Sequence, residues 1–218
     1  MNTMRWMIAG AVAMTCVSGV VQAQGASTRS CRVNEKAAWY VKQRAWFDDS
    51  RHAWSDDTLR HRLLQSVGLS EGVAVPVQVG VASDNEGRTP GDSSMIAALR
   101  ATAATRGSVW PTRSVVGGAG VRAVWALALR DTALARAALK RMMEAGPEES
   151  NAADVATLED RVRLASGRKQ IYGTQVVRDK GSIRLAPLED SAHVDLRREE
   201  AGLPPLTHSL CVASARKG

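Results

Sequence analysis

GAGVRAVWALAL, residues 118–129, admits two readings, and the choice between them decides the fold. Gly118, Gly120 and Ala123 match G-x-G-x-x-A, the turn that opens a helix over a phosphate in dinucleotide-binding units. Such a unit needs a strand on each side of the helix. Downstream of this stretch the chain instead carries a second helical pattern, headed by Asp131 or Thr132 and closed by Gly146. Val121, Val124, Trp125, Ala128 and Leu129 recur at i, i+3, i+4, i+7 and i+8, which is one buried helix face. The stretch is therefore read as a core helix of a mainly α protein, and the phosphate motif as a weak one.

Outward from that helix, the pattern stays helical. Asn151 heads a further helix with Val155, Leu158 and Val162 turned inward and Gly167 at its end. Upstream, a helix runs from near Ser94 to Gly107, and "SVWPT" makes a tight corner. Asn34 to Gly68 reads as two helices, with Asn34 capping the first and Ser55, Asp56 and Asp57 opening the second. Trp39, Trp46 and Trp54 fall at near-heptad spacing and are read as core. Asp48-Asp49 and Asp56-Asp57 are read as caps. Strand signals are few. "GVAVPVQVGV", residues 72–81, alternates strictly, with Pro76 confining it to an edge, and residues 84–92 read as a loop. QIYGTQVV and SIRLA pair as a hairpin around "RDKG". Asp190 caps a last short helix ending at Gly202, before Leu203-Pro204-Pro205. The expected fold is a compact helical domain with a small β-hairpin and a third, edge strand.

The N-terminus concerns location. A positive head to Arg5, an uncharged run from Trp6 to Val21 and the small-residue exit Val21-Gln22-Ala23 together read as a secretory signal peptide over residues 1–23. The run is 16 residues, below the ~20 of a spanning helix. Residues 24–92 form the N-terminal helical segment and 93–218 the region bearing the hairpin, within one globular domain. Cleavage removes Cys16 and leaves Cys31 and Cys211, which in an oxidising compartment read as a disulfide. The protein is expected in the periplasm or secreted, with no stable membrane anchor after cleavage.

Charge and motif content narrow the chemistry. The formal charge of +7 is spread, with Lys and Arg never running longer than two and acids interspersed, so no nucleic-acid partner is expected. The four histidines, His52, His61, His193 and His208, lack H-E-x-x-H spacing, and neither Cys-x-x-Cys nor G-x-S-x-G occurs. No metal and no cofactor are expected. Ser191, His193 and Asp195 lie within one helical turn, too close to face one another as a triad.

"WPTRSVVG", "LEDRVRLASGRKQIYGTQ", "PLED" and "VDLRREEAGLPPL" resemble a family of bacterial proteins classed as a domain of unknown function. The resemblance runs from Val109 to about Leu206 and is densest from Leu158 to Leu203. It singles out Trp110, Pro111, Asp160, Arg161, Gln170, Tyr172, Gly173, Thr174, Gln175, Asp190, Asp195 and Arg197. Members tend to carry Gln-His where this chain has Leu129-Arg130, and an upstream D-Q-x-x-R stretch that it lacks, so any chemistry done by those residues is missing here. The family brings no activity with it.

The polar set suggests one site. On a regular strand Gln170, Tyr172 and Thr174 share a face, and a bulge at Gly173 would bring Gln175 round beside Gln170. The ligand-binding candidates are Trp110, Arg161, Gln170, Tyr172, Thr174 and Gln175, a neutral hydrogen-bonding surface for a small polar ligand or a protein partner. The alternative is a hydrolase acting on an envelope polymer, with Asp160 or Asp190 as acid/base and Tyr172 and Gln175 as orienters. A third reading is structural, with Asp160 and Arg161 tying the hairpin to its helix through buried hydrogen bonds.

Overall fold

The computed structural model describes residues 31, 34–70, 92–179 and 182–215. The signal segment 1–23, the alternating run 72–81 and nearly all of the loop 84–92 lie outside them. Eight helices and one hairpin are described: α1 (Ala38–Trp46), α2 (Asp57–Ser66), α3 (Asp92–Ala104), α4 (Arg113–Ala128), α5 (Thr132–Ala145), α6 (Ala152–Ala165), β1 (Val176–Asp179), β2 (Ser182–Leu185), α7 (Val194–Glu200) and α8 (Leu206–Ala215). A 3-10 turn, Asp49–Arg51, links α1 to α2. The mainly α architecture with a small hairpin is the one the sequence predicts.

Capping fixes the helix starts. Asp56 accepts from Leu59 N at 2.8 Å, Asp131 from Leu134 N at 2.6 Å, and Asn151 from Ala153 N and Asp154 N at 3.1 and 3.2 Å. Each satisfies amides that the first helical turn leaves without partners. Asn34 does not cap α1. Its side chain accepts from Lys36 N within a preceding turn, and the helix begins only at Ala38.

α4 is the hub, packed against α2, α5 and α6. Val116, Val121, Val124, Leu127 and Ala128 are buried beside Leu63 and Leu64 of α2, Leu134, Ala138 and Met142 of α5, and Leu158 of α6. Trp125 belongs to this core, as its stripe predicts. The other tryptophan expectation holds only in part, through Trp46, which packs against the edge of this core. Trp39, Trp46 and Trp54 are only half-buried, because α1 ends at Trp46 and Trp54 falls in the link to α2, so no single helix face carries them. Trp46 and Trp54 instead lie under the guanidinium groups of Arg113 and Arg60.

The G-x-G-x-x-A stretch has its own answer. Gly117 breaks α4 at φ 68°, and the helix restarts with Gly118 N and Ala119 N both donating to the carboxylate of Asp49, at 2.7 and 3.3 Å. Arg60 holds that carboxylate at 3.0 Å and also donates to Val116 O. An anion does sit on the helix N-terminus, as its amides favour, but it is the protein's own. The dinucleotide reading is excluded at this turn. Asp49 is thus a cap, though of α4 and from 69 residues away, whereas Asp48 caps its own 3-10 turn.

β1 and β2 pair antiparallel, Val176 opposite Leu185 and Asp179 opposite Ser182. Cys31 and Cys211 form a disulfide with Cα atoms 5.4 Å apart, tying the start of the described chain to α8.

Candidate functional site

Asp160, on the last turns of α6, is wholly buried. The loop after α6 folds around its carboxylate. Oδ1 accepts from Ile171 N at 2.7 Å and Tyr172 N at 3.1 Å, and Oδ2 from Thr174 N and Thr174 Oγ1, both at 2.9 Å. Four donors on one buried carboxylate fix the backbone of residues 171–174 as firmly as a strand ladder would.

The segment 171–174 is therefore a loop and not a strand. The alternation placing Gln170, Tyr172 and Thr174 on one face does not apply, because the backbone amides turn toward Asp160 instead of a neighbouring strand. Gln170 makes an isolated parallel bridge with Leu188, and Gly173, at φ 66°, makes the turn between Gln170 and Gln175. A Cβ at Gly173 would also lie 3.1 Å from a methyl of Leu206. Gln175 does come round beside Gln170, as expected, by this turn and not by a strand bulge. Gln170 Oε1 accepts from Gln175 N at 2.9 Å, while Nε2 donates to Gln175 O and Ala186 O at 3.1 and 2.8 Å.

The hydrogen-bonding capacity expected to face a ligand is thus turned inward at most positions. Gln170 and Thr174 have no exposed surface, and the Gln175 amide is directed at Thr157 O and Thr174 Oγ1. Trp110 sits in the hydrophobic core. Arg161 is half-buried on α6, and other cations clasp the loop. Arg197 Nε donates to Ile171 O at 3.0 Å, and Arg198 Nη1 to Tyr172 O at 2.6 Å. Arg198 is fully enclosed, with Nε on Pro204 O and Nη2 on Ser209 Oγ, and burial pulls its pKa down to about 10. Asp195 caps α8 by accepting from Leu206 N at 2.7 Å. The adjacent arginines of "VDLRREEAGLPPL" were the available signal for this, since on so short a helix one of the two is turned inward and a buried guanidinium needs carbonyls to receive it.

The outward side of this clasp is a rim. Tyr172 is half-buried, packed against Ala153, Ala156 and Leu203, and its hydroxyl makes no hydrogen bond among the described residues. Burial, with Glu159 and Asp160 nearby, pushes the phenol pKa up, opposed by Arg197. Asp190 accepts from Ala192 N and His193 N with Oδ1, and from His193 Nδ1 at 2.8 Å and Arg197 Nη1 at 3.2 Å with Oδ2. These bonds, led by His193 and Arg197, hold its carboxyl down at about 2. Asp190 precedes α7 without capping it directly. Helix α7 begins after His193, and the Asp190 carboxylate instead closes the turn before it. The His193 side chain is 70 % exposed and that of Asp190 40 %. Among the described residues, no three His, Cys, Asp or Glu side chains gather where a metal ion could sit.

No curated protein and no solved structure matches the chain. A family model described as "Family of unknown function (DUF6624)" matches residues 96–215, more than half of it. Every member of the clasp, from Asp160 through Gln170, Thr174 and Gln175 to Arg198 and Ser209, falls inside that span, and the chain belongs to this family.

Proposed function

We propose that the protein is exported and recognises a small polar ligand, or a polar segment of a partner protein, at the rim formed by Tyr172, Asp190, His193 and Arg197. One observation carries the reading. The clasp beneath is hydrogen-bonded and buried, whereas the rim presents a phenol that makes no hydrogen bond among the described residues and, joined to it through Arg197, an exposed His–carboxylate pair. A site on a fixed scaffold loses little entropy on binding, and a phenol hydroxyl and an exposed imidazole Nε2 are groups that a polar ligand can bond, with Asp190 and Arg197 holding the imidazole in place. Export is supported by the uncharged run at residues 6–21 and the paired cysteines. No helix among the described residues is long and apolar enough to cross a membrane.

A hydrolase reading keeps one specific support, the 2.8 Å contact between Asp190 Oδ2 and His193 Nδ1. A carboxylate in that position orients an imidazole and leaves Nε2 to act as base, so the acid/base role passes from Asp190 to His193. Asp160 has both oxygens taken by the loop and serves as its anchor.

Isotope-labelled protein titrated with soluble peptidoglycan fragments and with simple polar metabolites tests the proposal by NMR. Shifts centred on Tyr172, His193 and Arg197, lost in Tyr172→Phe and His193→Ala variants with unchanged melting, are expected. Shifts elsewhere, or binding that both variants retain, would remove the rim from consideration. Release of soluble product that disappears in His193→Ala would favour the hydrolase.

A further inference from the structure

Away from the clasp, α3 and α5 enclose an open groove of about 780 Å³. Its floor is alanine from both helices, including Ala97, Ala101, Ala133 and Ala137, and most of these are exposed. Its rim carries Arg100, Arg106, Lys140 and Arg141 against a single carboxylate, Glu144. The interspersed charges of the sequence are thus gathered by folding onto one surface. They are weakly neutralised there: Lys140 and Arg141 approach Glu144 only to 3.9 Å, and Arg100 approaches Asp131 only to 3.9 Å. Arg141 is held in place by bonds to Ala103 O and Thr105 O at the end of α3.

We infer that this groove docks an acidic amphipathic helix of a partner protein. The lining of α5 runs from Ala133 to Glu144, roughly 16 Å at 1.5 Å per residue, which matches about three turns of a bound helix. Alanine on both walls permits approach at the close end of the roughly 8–10 Å interaxial range. An apolar floor between cationic edges is the complement of a helix with small apolar residues on one face and Glu or Asp flanking them. Nucleic acid fits less well, because no aromatic side chain lines the groove to stack a base. A second copy of the chain is disfavoured by its own charge of +7. The chain's residues 71–91, which carry Glu71, Asp84 and Glu86, are the competing occupant.

A display library of helical peptides with one face randomised, selected on the folded full-length protein, provides the probe. The selected peptides should share an apolar face flanked by acids. Their affinity should fall at least tenfold between 50 and 300 mM salt, and at least tenfold in the Arg106→Glu/Lys140→Glu variant. Ala133→Trp, which fills the floor, should abolish binding while leaving melting and the rim of the clasp unaffected. Failure to enrich acidic helices would overturn the proposal. So would peptides indifferent to Ala133→Trp, or equal binding of polyphosphate or phosphatidylglycerol vesicles, which would make the surface a general anion binder.

Discussion

At the scale of single residues, Asp160 matters more than any glutamine around it. Replacing it by Asn presents NH₂ to backbone amides that need an acceptor, in a fully buried site. Several orphaned donors at about 1–3 kcal/mol each make a loss above roughly 3 kcal/mol the expected result of a urea melt. Gln175→Ala removes a buried amide with two partners and should cost about 1–3 kcal/mol. Tyr172→Phe removes a hydroxyl that bonds nothing among the described residues and should stay within about 0.5 kcal/mol. The sequence puts Gln175 among the ligand-binding candidates; the geometry makes it part of the buried clasp and leaves Tyr172 as the tolerant position. A Tyr172→Phe variant as unstable as Asp160→Asn would mean that the rim is part of the clasp.

Between elements, the most exacting contact joins α4 to α6. Arg122 lies between the rings of Phe47 and Trp125, 4.3 and 4.8 Å from their centroids, and touches Asp154 at 2.8 Å. Both are buried, and the contact is one of charges and not an aligned hydrogen bond, so the remaining polar atoms of the pair go without partners. Burial pushes each toward its neutral form: Asp154 up to about 6, Arg122 down. Removing either partner alone should cost about 3–5 kcal/mol by stranding the other charge, whereas Arg122→Met with Asp154→Leu should be near neutral or stabilising. The sign with pH comes from the raised carboxyl. Its folded pKa exceeds the unfolded value of 3.8, so its contribution is full below that value and is lost as pH rises through about 6. Denaturant midpoints of the wild type between pH 4 and 6 should therefore contain a component that falls with pH and is missing in the double variant. An identical slope in both would place the titration elsewhere. The legibility of these elements was uneven for a physical reason. Helices α2, α5 and α6 were readable because Asp56, Asp131 and Asn151 act on amides two or three residues away, and α4 because its stripe is periodic. The loop at residues 171–174 was not, because its conformation is set by a carboxylate 11 to 14 residues back and by arginines 26 residues ahead. The cap of α4 by Asp49 and the Arg122–Asp154 pair are likewise long-range. Local pattern contains none of that information.

Over the whole molecule, the Cys31–Cys211 bridge closes a loop whose ends are 180 positions apart in sequence. In the chain-entropy model that contributes up to about 5 kcal/mol, less where the reduced chain keeps residual structure. Thermal melts with and without reductant should show a clear drop for the wild type and none for a Cys31→Ser/Cys211→Ser variant. Equal melting of reduced and oxidised protein would show that the two ends are already held by packing. The clasp has a related consequence for the order in which the chain can mature. Asp160 and its loop leave the ribosome well before α7 and α8, yet Arg197, Arg198 and Ser209 secure that loop from the far side. Until the last two helices emerge, the Tyr172 and Gly173 carbonyls await their donors and Cys31 awaits its partner. The family region thus closes only once α7 and α8 have been made, so a chain stalled or clipped before residue 197 should be left open to proteases instead of persisting as a shortened fold.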